Sequence, residues 1–305
     1  MTLASQSAMH SASPVNDTPL ATQLARSLLA MQLHELPSAV VDKVKVCLFD
    51  LIGCAFEAHS LPWSRQARQL AERVADHAHG ASIIGMAGRV SAADAAFANS
   101  VMGHGLVRED MHSGSISHLG IIVLPTLLAL AQRKRVSGAE FIAAAVVGYE
   151  AGGQLGRAVM DAEVARFHRP TGVTGPLAGA AAGARLLQLN EEQATTALAL
   201  GANTTVGYNH WAHTGGSEMF FQAGFAARNA VMAVRLAESG AFASPSALDG
   251  EAGMFAAFGK RGQASWPYLP PSPRSCRSIT SPCRPVISPR PRVRRLCGWR
   301  VKAAS

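Results

Sequence analysis

The densest group of chemically reactive side chains lies in residues 104–118. These fifteen residues hold three histidines, three charged residues and three serines: His104, Arg108, Glu109, Asp110, His112, Ser113, Ser115, Ser117 and His118. Charged residues make up only 16% of the chain, so this segment stands out. The apolar run 121–124 and Pro125 follow it, and a polar loop seated on a buried element often carries functional groups. A solvated loop with a helix cap is an equally good interpretation of the composition.

Two further segments show the same mixture of polar residues and glycine. The first runs from Phe167 to Gly175 and leads into an Ala/Gly-rich stretch, and the second runs from Glu218 to Asn229. The three segments, in this order, resemble the MmgE/PrpD family over roughly residues 18–259. That family includes 2-methylcitrate dehydratase, cis-aconitate decarboxylase and an iminodisuccinate epimerase.

The resemblance implies chemistry at a carbon next to a carboxylate. Such reactions need a general acid/base with a pKa near neutral, together with donors that hold carboxylates. Histidine suits the first role. The resemblance makes His118 the leading acid/base residue and His168 the second, with both expected to face one cleft. Asp110 is expected at the rim of that cleft, where it orients a histidine or binds a substrate hydroxyl.

The residues expected to bind substrate are His112, Ser117, Thr171, His210 and His213. The last two are substitutes, because residues 217–219 lack the lysine that many family members carry there. A further departure is at 107–109, where Val-Arg-Glu replaces the family's usual Asp-Phe-Asp. Met111 likewise replaces a threonine, so the substrate stays open.

A metal site built from His104, His112, His118 and Asp110 is the alternative interpretation of the first segment. Two histidines six residues apart on a loop do not match a tight zinc motif such as His-Glu-x-x-His. No glycine-rich phosphate loop follows a strand pattern. We therefore expect neither a metal nor another cofactor.

The net charge of +8 is unevenly distributed. Residues 261–305 hold nine arginines, one lysine and no acidic residue, so residues 1–260 carry a charge of −2. The body therefore gives no electrostatic reason to bind nucleic acid, and no apolar run suggests a membrane span. We expect a cytoplasmic protein that binds neither. A nucleic-acid binder acting through its basic tail is a weaker alternative.

Helical spacing of apolar residues, without convincing strand alternation, predicts an all-α fold. We expect a disordered segment at 1–16, an MmgE/PrpD-type helical domain at 17–260, and a disordered Pro/Arg-rich tail at 261–305. Within the domain we expect a helix beginning at Pro125, an irregular segment at 161–172, and a buried central helix over 173–187. The tail's composition suggests a shifted reading frame or a truncation, which would remove most or all of the α+β lid that the resemblance implies.

These patterns lead to one main functional hypothesis. The chain is expected to be a cofactor-independent lyase-like protein, a dehydratase or decarboxylase, acting on a small di- or tricarboxylate and forming a homodimer through small-residue helices. Two alternatives stay open: an epimerase or isomerase of the same family, and a truncated remnant without catalysis.

Overall fold

The computed structural model describes residues 18–260, apart from 73–79, 135 and 206. The predictions for 1–16 and 261–305 lie outside these residues. The described helices are α1 Leu20–Leu29, α2 Ser38–Glu57, α3 Pro62–Glu72, α4 Ala92–Gly103, α5 Gly120–Ala131, α6 Gly138–Val159, α7 Ala162–Phe167, α8 Pro170–Leu186, α9 Glu191–Ala202, α10 Trp211–Thr214, α11 Glu218–Glu238 and α12 Met254–Ala257. In this part of the chain β-structure is limited to three isolated bridges, so the all-α prediction is confirmed.

Helix α8 is the centre of the domain. It is built almost entirely from alanine, glycine, leucine and other small or apolar residues, and nearly all of it is buried. It packs against α5, α6, α9 and α11. The expected central helix is therefore confirmed, although it starts three residues before 173.

Glycines allow α8 to approach its neighbours closely. A Cβ added at Gly152 of α6 would lie 2.7 Å from the Cβ of Ala178, and one at Gly179 would lie 2.5 Å from that of Ala230 in α11. No real Cβ tolerates such contacts. The small residues of α6, α8 and α11 are thus used to pack helices within one chain.

Polar side chains cap the starts of several helices. Ser91 accepts a hydrogen bond from the Asp94 backbone N–H at the start of α4. Ser137 begins α6 and Asn190 begins α9, each in a complete capping box. These side chains satisfy N–H groups that have no partner inside the helix.

Two expectations about helix boundaries were wrong. Helix α5 begins at Gly120, so Pro125 lies inside it rather than at its start. Residues 121–124 are completely buried, and burial on every side hides the helical period. The segment 161–172 is not irregular, because Asp161 caps the short helix α7 and α8 starts at Pro170.

The loop between α4 and α5 meets the start of α8. His104 is the C-terminal cap of α4, and the backbone N–H of His118 donates to Thr171 Oγ1 in the first turn of α8 over 3.1 Å. Three helix ends therefore converge on residues 104–118. No helix in the described ranges combines the length and apolar character needed to cross a membrane.

Candidate active site

The loop of residues 104–118 is held in an unusual backbone conformation. Val107 and Ile116 have φ values of 52° and 54°, in the left-handed region that β-branched residues rarely adopt. An antiparallel bridge between His112 and Ser117 closes the loop around the turn that contains Ile116. Backbone strain of this kind persists only where the surrounding structure enforces it, and it is concentrated at functional sites.

Glu109 lies between two histidines and has no exposed surface. Its Oε1 contacts the Nδ1 of His104 and lies 3.0 Å from the Nδ1 of His118. Burial pushes the pKa of Glu109 upward, but the two imidazoles outweigh burial and hold the pKa below its ordinary value. Glu109 is therefore an ionised carboxylate shared by two rings, whose centroids are 5.1 Å apart.

The contact between Glu109 and His118 has the length of a hydrogen bond but is poorly aligned. Neither His118 Nδ1 nor Glu109 Oε2 has a well-aligned partner among the described residues. Because a buried carboxylate oxygen without a donor is costly, we expect this oxygen to take a donor from His118, water or a ligand.

Arg169 lies on the other side of His104. Its Nη2 is 2.7 Å from His104 Nε2, and its guanidinium lies 5.4 Å from the Trp211 ring centroid in a cation–π contact. Burial lowers the pKa of the Arg169 side chain and the charge of Glu109 raises it. A half-buried cation and a buried anion thus lie on opposite sides of one imidazole.

Aromatic side chains shield this group from water. Phe220 contacts His104 edge-on at 6.2 Å and stacks on Trp63 at 4.0 Å between ring centroids. Trp63 in turn donates its indole N–H to the carbonyl of Gly105 over 3.2 Å. Such apolar walls strengthen the electrostatic interactions among the polar groups inside.

Asp110 follows Glu109 in the chain and is buried, rather than lying at the rim of a cleft as expected. Its Oδ2 accepts a hydrogen bond from the Tyr149 hydroxyl over 3.1 Å, and a Cβ on Gly120 would overlap its carboxyl group. Burial, followed by the charge of Glu109, raises the pKa of Asp110 to about 7. Asp110 is therefore suited to carry a proton near neutral pH.

His112 and Ser117 have partners that hold the loop together. His112 Nδ1 lies 2.7 Å from Ser115 Oγ, and its Nε2 lies 3.4 Å from an Arg157 nitrogen. Ser117 donates to the Ser115 carbonyl and accepts from Thr174. Burial, then Arg157, lowers the pKa of His112 to about 4, so its ring is neutral at pH 7. Their substrate-binding role stays a prediction.

His168 does not meet His118 through any hydrogen bond or ring contact among the described residues. Its ring packs against Tyr208 and Phe258, with centroids 5.7 and 5.2 Å away. Both His168 and Arg169 have extended backbones, with ψ values of 142° and 109°, so their side chains point to opposite sides. Arg169 thus contacts the histidine–glutamate cluster directly, whereas a cleft shared by His118 and His168 stays a prediction.

The other predicted substrate-binding residues divide into two groups. Thr171 lies against the site, where its hydroxyl fixes the backbone of His118. His210 and His213 are exposed and contact each other, with ring centroids 5.7 Å apart. They are one and two residues from Trp211, whose ring contacts Arg169.

Two residues of the histidine–glutamate cluster, His104 and Glu109, were not among the predicted catalytic residues. Arg169, which contacts His104, was not among them either. Glu109 was counted as a departure from the family pattern, although an acidic residue at that position was itself a signal. The signal for Arg169 was weaker, because its role depends on the side of an extended segment that faces the loop.

One nitrogen or oxygen from each of His104, Glu109 and His118 lies within 4.8 Å of the others, as in a metal site. Two of these residues were in the alternative metal set of the sequence analysis. The adjacent guanidinium opposes a cation there by like-charge repulsion, whereas hydrogen bonding accounts for the carboxylate between two rings. The absence of a metal stays a prediction.

Comparisons with known proteins agree with the sequence resemblance. A profile of the MmgE/PrpD N-terminal domain matches residues 22–267. Cis-aconitate decarboxylase from Aspergillus terreus is 31% identical over 227 residues, covering 72% of this chain and 46% of the relative. The cis-aconitate decarboxylase-like protein oryM from Aspergillus oryzae (strain ATCC 42149 / RIB 40) is 28% identical over 257 residues, covering 82% of this chain and 53% of the relative.

The chain thus spans about half the length of the curated relatives it matches. The profile covers far more than half of the chain, and its bounds enclose all the described helices from α2 to α12 and most of α1. The chain belongs to the MmgE/PrpD family.

Proposed function

We propose that this chain carries the acid/base half of a cofactor-independent lyase that acts on a small di- or tricarboxylate. The supporting observation is the buried Glu109 carboxylate 3.0 Å from His118 Nδ1. A carboxylate behind an imidazole fixes the tautomer and orientation of the ring and stabilises its protonated form. His118 is the general acid/base of this proposal, and Glu109 is its positioning residue.

The chemistry of a decarboxylation fits this arrangement. When a carboxylate leaves as CO2, the electron pair of the broken C–C bond remains on the adjacent carbon and must accept a proton. His118 is 8% exposed, whereas Glu109 is fully buried, so His118 is the member of the pair that a ligand can reach. The relatives named cis-aconitate decarboxylase make cis-aconitate the first substrate to test.

Arg169 supplies a cation next to His104, which lies beside His118. In the sequence, residues 217–219 lack a basic side chain, and the structure brings a guanidinium in from the start of α8 instead. Its donors not used by His104 suit a carboxylate of the substrate. This supports a carboxylate substrate but does not select among members of the class.

The test is product analysis in D2O with cis-aconitate, 2-methylcitrate and iminodisuccinate as separate substrates. We expect loss of CO2 from cis-aconitate, with one deuterium delivered to carbon. Dehydration of 2-methylcitrate instead would support the proposed lyase activity and identify a different substrate. Exchange with inversion in iminodisuccinate alone would favour the epimerase alternative, and no reaction or binding with any of the three would overturn the proposal.

A further inference from the structure

The order of contacts across the site determines where its protons lie. Arg169, His104, Glu109 and His118 follow one another, and each touches the next: Arg169 Nη2 is 2.7 Å from His104 Nε2, His104 Nδ1 contacts Glu109 Oε1, and Glu109 Oε1 is 3.0 Å from His118 Nδ1. Three of the four side chains are histidine or glutamate, whose protonation can vary. Only the guanidinium always donates.

The permanent donor fixes the first ring. Because Arg169 has no acceptor atom, its contact with His104 Nε2 is favourable only when that nitrogen carries a lone pair. The ring proton of His104 must then lie on Nδ1, which faces Glu109. Burial lowers the pKa of His104 and Arg169 lowers it further, against the pull of Glu109, so the ring is neutral.

The fixed first ring determines the state of Glu109. A protonated Nδ1 of His104 donates to Oε1, so the carboxylate accepts and remains ionised. A neutral His118 can then approach the same carboxylate only with its own proton on Nδ1. Its Nε2 consequently keeps a free lone pair on the ring edge away from Glu109.

We infer that Arg169 is a positioning residue that sets the tautomer of His118 through His104 and Glu109, leaving His118 Nε2 as the reactive base. This inference rests on the proposed function, because it takes His118 as the acid/base group. It adds Arg169 and His104 to the residues that act in catalysis. Neither the sequence prediction nor the proposed Glu109–His118 pair requires them. His104 transmits the effect because both of its ring nitrogens are engaged and none of its surface is exposed.

Alternative explanations for the Arg169 contact make different predictions. If Arg169 only fills space beside Trp211, the tautomer of His104 is set by Glu109 alone and does not respond to the guanidinium. If the three-residue group instead holds a cation, both histidines present lone pairs to it, and His118 Nδ1 carries no proton.

The experiment is nitrogen-15 NMR of the histidine side chains in the whole chain at pH 7.5. Protonated and unprotonated ring nitrogens resonate at well separated positions, and His104→Gln and His118→Gln assign the two rings. We expect the proton on Nδ1 in both rings. A His104 ring with its proton on Nε2, or a His118 ring without a proton on Nδ1, would overturn the inference without involving activity.

Variants at position 169 provide the second arm. Arg169→Met should release His104 into a mixture of tautomers and change the His118 signals, whereas Arg169→Lys, which keeps a donor, should largely restore them. Arg166→Gln is the matched control, because Arg166 is exposed and lies three residues away. Unchanged His104 and His118 signals in folded Arg169→Met would contradict the inference.

Activity separates the inference from the function on which it rests. Loss of the positioning role should lower kcat by about 10²-fold and shift the pH–rate profile, whereas loss of the carboxylate contact proposed above should raise KM. If wild type has the expected tautomers but no turnover on any carboxylate, the proposed function fails and the proton arrangement stands. If wild type turns over and Arg169→Met keeps its rate and pH profile, the positioning role fails alone.

Discussion

Glu109 is the side chain whose removal most directly tests the histidine pair. Glu109→Gln keeps the volume but replaces an ionised acceptor by an amide, which cannot stabilise the imidazolium that His118 forms when it takes up a proton. We expect kcat on cis-aconitate to fall by about 10²-fold or more, a typical contribution for an acid/base residue. Steady-state kinetics on matched folded samples measure this.

Glu57→Gln is the control for that substitution. Glu57 is partly exposed and pairs with Arg108 at 3.0 Å on the surface of the same loop. Such pairs contribute about 0–1 kcal/mol, so we expect little change in rate or stability. Equal losses in both variants would show that loop integrity, rather than the Glu109 carboxylate, governs turnover.

Asp110 should make stability depend on pH. Its folded pKa of about 7 lies above the ordinary value of 3.8, because burial and Glu109 disfavour the charge, while Tyr149 and His118 favour it. A raised pKa means that stability is fully present below about pH 4 and is lost as pH rises through 7. The upper limit of that loss is about 4 kcal/mol, at 1.36 kcal/mol per pKa unit.

Asp110→Asn removes this titration and should flatten the decline in stability between pH 4 and 8. Urea unfolding at several pH values measures it, with the exposed Asp42→Asn as control. Asp50, whose pKa burial and Glu109 raise to about 6, should leave a smaller decline in the variant. An identical slope in wild type and Asp110→Asn would contradict the assignment.

At this scale the sequence allowed part of the site to be predicted. His118 and Asp110 were identified by motif and lie at or beside the cluster, whereas Glu109 was dismissed because it differs from the usual aspartate. His168 and Arg169 are neighbours on an extended segment, and sequence spacing does not tell which one faces the loop.

Close helix packing is the feature of the elements that can be tested most sharply. A Cβ on Gly152 of α6 would lie 2.7 Å from both the Cβ of Ala178 and a methyl group of Leu119. Gly152→Ala should therefore destabilise the fold by about 1–3 kcal/mol through overpacking, despite the better helix propensity of alanine. Chemical unfolding measures the difference.

Gly53 in α2 is the matched control. No heavy atom lies within 4 Å of a Cβ built there, so Gly53→Ala gains helix propensity without a clash. We expect stabilisation by up to about 1 kcal/mol. Stabilisation of similar size by Gly152→Ala would show that α6 and α8 do not approach as closely as the structure indicates.

Helix ends were predictable where a polar side chain marks them, and were missed where burial hides them. Ser137 with Glu140, and Asn190 with Gln193, have the spacing of a capping box in the sequence and form complete capping boxes in the structure. Helix α5 has no polar cap and is surrounded by other helices, so residues 121–124 read only as an apolar run ahead of Pro125. Tertiary packing, not local sequence, determines that boundary.

For the whole molecule, the expected homodimer stays a prediction whose original basis has changed. The small residues of α6, α8 and α11 pack against one another within the chain. Large apolar side chains also remain exposed, among them Phe49 of α2 at 77% and Met232 of α11 at 46%. Light scattering should give a dimer mass at micromolar concentration, and a monomer throughout would contradict the prediction.

The most direct test of the central claim is a single-turnover measurement with the chain in excess over cis-aconitate, because even a slow catalyst then gives a measurable rate. We predict CO2 release by wild type, loss of at least about 10²-fold in His118→Ala, and an unchanged rate in His34→Ala, whose side chain is exposed. Equal rates in wild type and His118→Ala would contradict the assignment of His118 as the acid/base residue.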